Sequence, residues 1–242
     1  MAKNHYRFLN IYYWIRKFTF SVFFQNILFL PKSYKRKIVF KSIFKSFHWR
    51  DYNKPKKGES VSGLGSDLHI CEKLINDLGF FISKHQIKSI LDLACGDFNW
   101  MKKLIQFNKN IISYCGLEIV GEIVKKNIIS YSDEKIKFIH SDVMHDTLPK
   151  NFDLVIIRDF FIHINNKDII EVINKVKKSN IKYIAIGTLS NIETNYDLKA
   201  FGHHRYINIE KKPFNLINPY LRLKDYDRDL NIYDIKIINE KS

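Results

Sequence analysis

The sequence is poor in several features that would define it quickly. Its three cysteines, Cys71, Cys95 and Cys115, lie far apart with no CxxC, which excludes a disulfide framework and a zinc knuckle and points to a reducing, cytoplasmic setting. A bilayer crossing needs about 20 apolar residues. The best candidate here, residues 18–30, has 13 and includes Gln25 and Asn26. That stretch also lacks the small-residue cleavage site of a signal peptide. There is no internal repeat, and no low-complexity tract beyond a general excess of Lys, Asn and Ile. The absence of GxGxxG counts against a nicotinamide dehydrogenase, which needs it to bring a pyrophosphate onto a helix N-terminus. His203 and His204 are adjacent, but no helical HxxxH pair or carboxylate at matched spacing accompanies them, so no metal is expected.

What is present fits one domain of ordinary size. The 242 residues are 45% hydrophobic and 27% charged, which excludes a wholly disordered chain and a multi-span membrane protein. The formal charge of +15 is unevenly placed: residues 1–57 hold 14 Lys and Arg against one acid, Asp51, leaving only +2 for the remainder. Residues 1–57 therefore read as a basic aromatic extension and residues 58–242 as the domain. Two readings of the extension stand. One is an amphipathic helix on anionic lipid through Trp14, Phe18, Phe23 and the flanking cations, a peripheral contact of residues 1–50 with the inner face of the membrane; the other is a helical cap on the domain.

Residues 51–66, "DYNKPKKGESVSGLGS", collect Pro, Gly, Ser and Lys and read as a loop. Ser66 then caps a helix over 67–84 whose apolar positions, Leu68, Cys71, Leu74, Ile75, Leu78 and Ile82, recur at three and four. From Lys88 short apolar runs alternate with amphipathic stretches, the sequence form of a parallel sheet flanked by helices. Strands are predicted near 88–94, 112–118, 136–141, 152–157 and 182–188, with helices near 98–107, 121–131 and 167–179. The tail "YLRLKDYDRDLNIYDIKII" reads as a closing antiparallel hairpin, giving an α/β, Rossmann-like, mostly parallel seven-stranded sheet.

In such a sheet ligands bind at the carboxyl ends of the strands. The first strand, in "SILDLACGDFNWM", runs into Asp92 and then a sharp turn, Ala94-Cys95-Gly96, that admits close backbone approach. Glu118 ends the second strand in "YCGLEIV", 26 residues after Asp92, where an acid can hold both hydroxyls of a ribose. Asp142 follows the third strand in "IKFIHSDV", where it can accept from an adenine amino group.

Taken in order, "LDLACGDFNW", "CGLEIV", "FIHSDVMHDTLP" and "FDLVIIRDFFIHI" resemble the successive motifs of class I S-adenosylmethionine-dependent methyltransferases. The resemblance runs from about Ser60 to Ile238. "ESVSGLGS", "CGDFNWM", "RDFFIHI" and "RYINIEKKPFNL" are also similar to a bacterial subfamily associated with capsule and surface-polysaccharide gene clusters. The resemblance implies S-adenosylmethionine as cofactor, with Asp92, Ala94 and Gly96 lining its methionine moiety, Glu118 its ribose, and Asp142 with Val143 its adenine. Two positions depart from the family's GxGxG: Ala94 replaces the first glycine, which suits alanine where φ stays negative, and Phe98 replaces the third, which implies a more filled turn.

Methyl transfer is an in-line displacement, so the site must align an acceptor and take up the proton of a hydroxyl. The fourth strand ends in "IIRDFFIHI", offering Asp159 or His163 as general base, and Arg158 to hold an anionic acceptor or pair with Asp159. The Asn or Asp followed by Pro-Pro-aromatic that grips planar nitrogen acceptors is absent there, which favours oxygen. After the fifth strand about 30 residues precede the hairpin, a length that suits an acceptor lid, with His203, His204, Arg205 and Asn208 as its candidates. Ser60 and Ser62, in the loop that opens the domain, are further substrate-side candidates, placed to fold over the cofactor. The expected partner is a small-molecule or glycan-precursor acceptor. An RNA methyltransferase gripping phosphates through the basic segment is disfavoured by that segment's Phe and Ile content and its lack of an RNA-binding module, so nucleic acid is not the expected partner. A non-catalytic, membrane-associated chain of the same fold is the remaining alternative.

Overall fold

The computed structural model describes residues 30–240; Trp14, Phe18 and Phe23 lie outside them. A helix α1 (Lys32–Ser46) is followed by a 3-10 turn (His48–Arg50) and α2 (Leu68–Lys84). Then come β1 (Ser89–Leu93), α3 (Asn99–Phe107), β2 (Ser113–Glu118), α4 (Gly121–Tyr131), β3 (Ile136–His140) and β4 (Leu154–Ile157). The chain ends with α5 (Asn166–Lys177), β5 (Tyr183–Thr188), β6 (Leu221–Asp225), β7 (Arg228–Asp234) and α6 (Ile235–Glu240).

The strands form one seven-stranded sheet in the order β3-β2-β1-β4-β5-β7-β6. β1 to β5 run parallel, and β7 enters antiparallel between β5 and β6. Side chains alternate between the two faces of a strand, and in β1, β2, β4, β5 and β7 both faces are buried. Leu91, Leu117, Val155 and Ile186 pack under α1 and α5, whereas Ile90, Tyr114, Ile156 and Ala185 pack with α2 and α3. The order reverses between β1 and β4, so the crevice at their carboxyl ends is the topological switch point where open α/β sheets take ligands.

The helix over 67–84 forms, but its cap differs from expectation. Asp67, not Ser66, is the N-cap residue, and its carboxylate makes no capping bond to the helix. It accepts instead from Arg50 (2.9 and 3.1 Å) and from the Ser60 N–H (2.8 Å). Arg50 also reaches Glu59 (2.6 Å) and the Ser60 carbonyl (3.1 Å), so residues 59–67 are tied down by a buried guanidinium.

α1 lays Arg36, Val39, Phe40, Ile43 and Phe44 against the domain, the i, i+3, i+4 stripe of an amphipathic helix. Each large apolar side chain so covered contributes roughly 1.5–3 kcal/mol. Lys32, Lys37, Lys41 and Lys45 face outward, the last two beside Glu122. No described helix is long and apolar enough to cross a membrane. The helix rests on residues 201–203, and the approach is close enough to need a glycine: at Gly202 (φ 77°) a Cβ would lie 2.3 Å from Ile43 Cδ1. Gly202→Ala combines left-handed backbone strain with overpacking and is expected to destabilise the fold by about 2 kcal/mol or more, read from the urea-unfolding midpoint. An unchanged midpoint would show that α1 does not rest there.

Candidate functional site

A pocket opens at the carboxyl ends of β1, β2 and β4. The space between its walls, open mouth included, is about 810 Å³. Asp92, Ala94, Gly96, Glu118, Asp142 and Val143 all line it.

The turn after β1 is built from left-handed residues: Ala94 has φ 62°, Gly96 56° and Phe98 61°. This corrects the expectation that Ala94 keeps a negative φ, and the strain is about 1–2 kcal/mol for a residue with a Cβ. Gly96 has no alternative, because a Cβ there would sit 2.3 Å from Ser62 Oγ. Phe98 does fill the turn, as its substitution for glycine implied, but on the far side from the pocket. Its ring is 1% exposed and packs on Tyr114 (4.9 Å), Phe138 (5.0 Å) and Tyr131 (5.4 Å).

Two acids in this half are buried against neutral donors. Asp92 accepts from the Tyr114 hydroxyl (2.8 Å), and Glu118 accepts from the N–H groups of Gly96 (3.1 Å) and Val120 (2.9 Å). Burial pushes both carboxyls up to about 7, against the restraint of those hydrogen bonds. Asp142 is treated differently. Its carboxylate takes two contacts from Arg36 Nε (3.2 and 3.0 Å), one from Arg36 Nη2 (2.6 Å) and one from the Met144 N–H (3.2 Å). The oxygens expected to receive an adenine amino group are thus committed to α1.

The opposite wall carries Arg158, Asp159 and His163, all lining the pocket. Arg158 does not reach for an anionic acceptor: it bonds Asp225 (2.7 and 2.9 Å) and the Gly65 carbonyl (2.7 Å), with Asp159 at 3.3 Å and the Trp100 ring beneath it at 5.1 Å. Asp159 also accepts from Arg228 (2.6 Å). Burial raises its pKa, but Arg158 and Arg228 outweigh that and hold it below the ordinary carboxylate value, which makes it a poor proton acceptor. His163 is 7% exposed, and burial, aided by His204 and His48, lowers it to about 4 against the raising influence of the His203 carbonyl and Asp159. Its Nδ1 lies 3.0 Å from the His203 carbonyl oxygen. A carbonyl can only accept, so Nδ1 carries the hydrogen and Nε2 is the ring's lone-pair nitrogen.

The other polar candidates divide. Ser62 lines the pocket and, with Ser60, donates to Asp97 (3.1 and 2.8 Å). Ser60 itself is 0% exposed and serves this tie rather than the pocket. Arg205 is spent on carbonyls of Tyr196 (2.6 Å), Phe161 (3.3 Å) and Ile164 (2.8 Å) and on Asn166 (2.6 Å). Asn208 is spent on the carbonyls of Ser190 (3.1 Å) and Ile192 (2.9 Å). Both hold the 189–220 insertion in shape, and neither lines the pocket. His203 and His204 are exposed, His204 with its ring 6.0 Å from that of His163. The residues missed in the sequence are Phe40, Phe44, Trp49 and Trp100, which line the pocket, and Arg36. The stripe along α1 signals a buried face, but nothing local says that the face roofs this pocket.

No protein-family model matches the chain, and no curated protein is significantly similar to it. Solved structures are similar. Human N-acetylserotonin methyltransferase in complex with SAM superposes at TM-score 0.57 and 13% identity, covering 81% of this chain and 58% of that one. Magnesium protoporphyrin IX methyltransferase from Synechocystis PCC 6803 with bound SAM gives 0.52 and 13%, covering 81% and 96%. PigF with SAH gives 0.53 and 13%, covering 69% and 56%. The chain therefore shares the methyltransferase fold of these structures.

Two expectations follow from the buried acids. In the unfolded chain Glu118 ionises in the ordinary carboxylate range, whereas the folded protein keeps its proton up to about 7. Between those values the native state binds more protons, so this group makes stability fall as pH rises. The stability gain of Glu118→Gln over wild type should accordingly be small at pH 4 and grow toward pH 7; a flat difference across that range would sink the assignment. Arg36→Met leaves Asp142 buried and unpaired and is expected to cost about 3–5 kcal/mol in denaturant unfolding.

Proposed function

We propose that the chain is an S-adenosylmethionine-dependent methyltransferase that methylates oxygen on a small-molecule acceptor. The observation that carries this reading is the pair of buried carboxylates, Asp92 and Glu118, at adjacent strand ends, each held by hydroxyl or N–H donors rather than by a cation. Such a pair suits a ligand that brings positive charge and hydroxyl donors together. S-adenosylmethionine brings an ammonium, a sulfonium and a ribose diol, whereas a nicotinamide dinucleotide brings a pyrophosphate that would face these acids. The fold adds support, because two of the neighbours named above are methyltransferases solved with SAM and the third was solved with SAH.

In this reading Glu118 accepts from the ribose hydroxyls, Asp92 with the Ala94 to Gly96 turn faces the methionine end, and Val143 flanks the base. Phe40, Phe44 and Trp49 exclude water from above. The cofactor supplies a methyl carbon on a positively charged sulfur, open to in-line attack. Across the pocket, His163 Nε2 takes the acceptor's proton. Asp159, kept ionised by Arg158 and Arg228, stabilises the imidazolium that results. Both groups are unprotonated in the physiological range, but the oxygens of Asp159 are engaged by Arg158 and Arg228, whereas His163 keeps its lone pair at Nε2.

The acceptor we propose is a glycan precursor of a surface polysaccharide, a reading that rests on the sequence resemblance alone. Nucleotide-activated sugars and phosphorylated small molecules are therefore the first to screen. Peripheral attachment to anionic lipid draws support from the outward Lys32, Lys37, Lys41 and Lys45. With the apolar face of α1 occupied by the domain, such attachment would be electrostatic at this helix.

Isothermal titration of the full chain with S-adenosylmethionine and S-adenosylhomocysteine, with NAD as control, tests the cofactor. Binding of the first two alone is expected, with Glu118→Ala weaker by about 1–3 kcal/mol and wild-type affinity falling as pH drops below about 7, where Glu118 gains its proton. No binding in a folded sample overturns the reading. With an acceptor in hand, His163→Ala and Asp159→Asn should slow transfer and leave cofactor affinity nearly intact; full turnover by both ends their assignment.

A further inference from the structure

The Trp49 indole lies on the His163 imidazole, with ring centroids 4.3 Å apart and planes 21° from parallel. Trp49 is itself gripped from α1, by Phe44 edge-on at 5.3 Å and by Phe40 at 6.1 Å. Its Nε1 reaches the Gly202 carbonyl at 3.4 Å. The same few residues of the insertion hold His163 from the other side. The Gly202 N–H donates to the His163 carbonyl (3.0 Å), the next carbonyl, His203, takes Nδ1–H (3.0 Å), and Arg205 clamps the carbonyls of Phe161 and Ile164 on either side of His163 (3.3 and 2.8 Å).

We propose that Trp49 is a positioning residue for His163: the stacked indole fixes the plane of the imidazole while the His203 carbonyl fixes its tautomer, so that Nε2 is the nitrogen available in the pocket. A single hydrogen bond at Nδ1 leaves the ring free to swing about that contact; a parallel aromatic at van der Waals distance removes that freedom. The indole also covers one face of the ring from water. The segment bearing Trp49 is thus part of the acceptor side of the site as well as its roof, and Trp49 acts on the reaction through His163 rather than by touching the reacting atoms. Its catalytic consequence rests on the methyltransferase reading, whereas the arrangement itself does not.

The test needs neither cofactor nor acceptor. The charged and titratable groups facing His163 are His48 beside Trp49, Asp159 at the end of β4, and His203 and His204 from the insertion. The imidazole Cε1–H signals of the full chain are titrated by NMR, that of His163 being identified by its loss in His163→Gln. In wild type it should titrate near pH 4 with nitrogen shifts of the Nδ1–H tautomer. Trp49→Ala should move the titration upward by about one unit or more as water reaches the ring, and Trp49→Phe should keep it within about half a unit of wild type. If the alanine variant does not fold, Trp49→Leu, which covers less of the imidazole face than the indole does, should show a smaller shift in the same upward direction. A wild-type His163 titrating at the ordinary imidazole value, the opposite tautomer, or an unshifted titration in the alanine or leucine variant overturns the proposal. A chain that shows the shift yet binds no S-adenosylmethionine overturns the proposed function and leaves this inference standing.

Discussion

Burying a carboxylate without a cation beside it is costly, and the carboxyl edge of this sheet does it twice, at Asp92 and Glu118. Four other acids near the pocket have each been given a guanidinium: Asp142 has Arg36, Asp67 has Arg50, Asp225 has Arg158, and Asp159 has Arg158 and Arg228. Charge in the pocket is therefore divided. One wall is left anionic and the other is neutralised, and low-dielectric surroundings sharpen the contrast. Three of these four arginines also fasten the covering segments: Arg36 holds α1, Arg50 the loop before α2, and Arg158 the Gly65 carbonyl. Electrostatic compensation and closure of the site are the same set of contacts.

This explains which features were legible in the sequence. The strands were visible because a parallel sheet buried on both faces reads as short apolar runs, as in Leu154 to Ile157. The acids of the anionic wall were visible because each ends such a run, and their place in the fold follows from topology alone. The compensating ion pairs were not. Arg36 and Asp142 are separated by 106 positions, and Arg158 and Asp225 by 67, so nothing local shows that these side chains are already taken. Loop polar residues misled for a related reason. Arg205 and Asn208 look free in sequence, yet the 189–220 insertion has few ladder partners for its carbonyls, and these two side chains supply donors to those of Tyr196 and Ser190. Ala94 is a third case: its positive φ is set by the turn that brings Cys95 N–H onto the Leu117 carbonyl at 3.0 Å, a tertiary bond that outweighs a local preference.

The close fit of α1 on Gly202 has a consequence for how the molecule is made. Ile43 and Trp49 meet Gly202 across more than half of the chain, and a ribosome delivers the helix long before it delivers the glycine. Until residues 201–203 have emerged, Val39 and Ile43 lack the Gly202 surface that they close on, and a loop closure of that span is slow. The sheet side of the helix can settle earlier, on Leu91, Leu117 and Val155, so the contact with Gly202 is the last of the roof's contacts to form. The roof of the pocket is synthesised before its walls and is fitted after them.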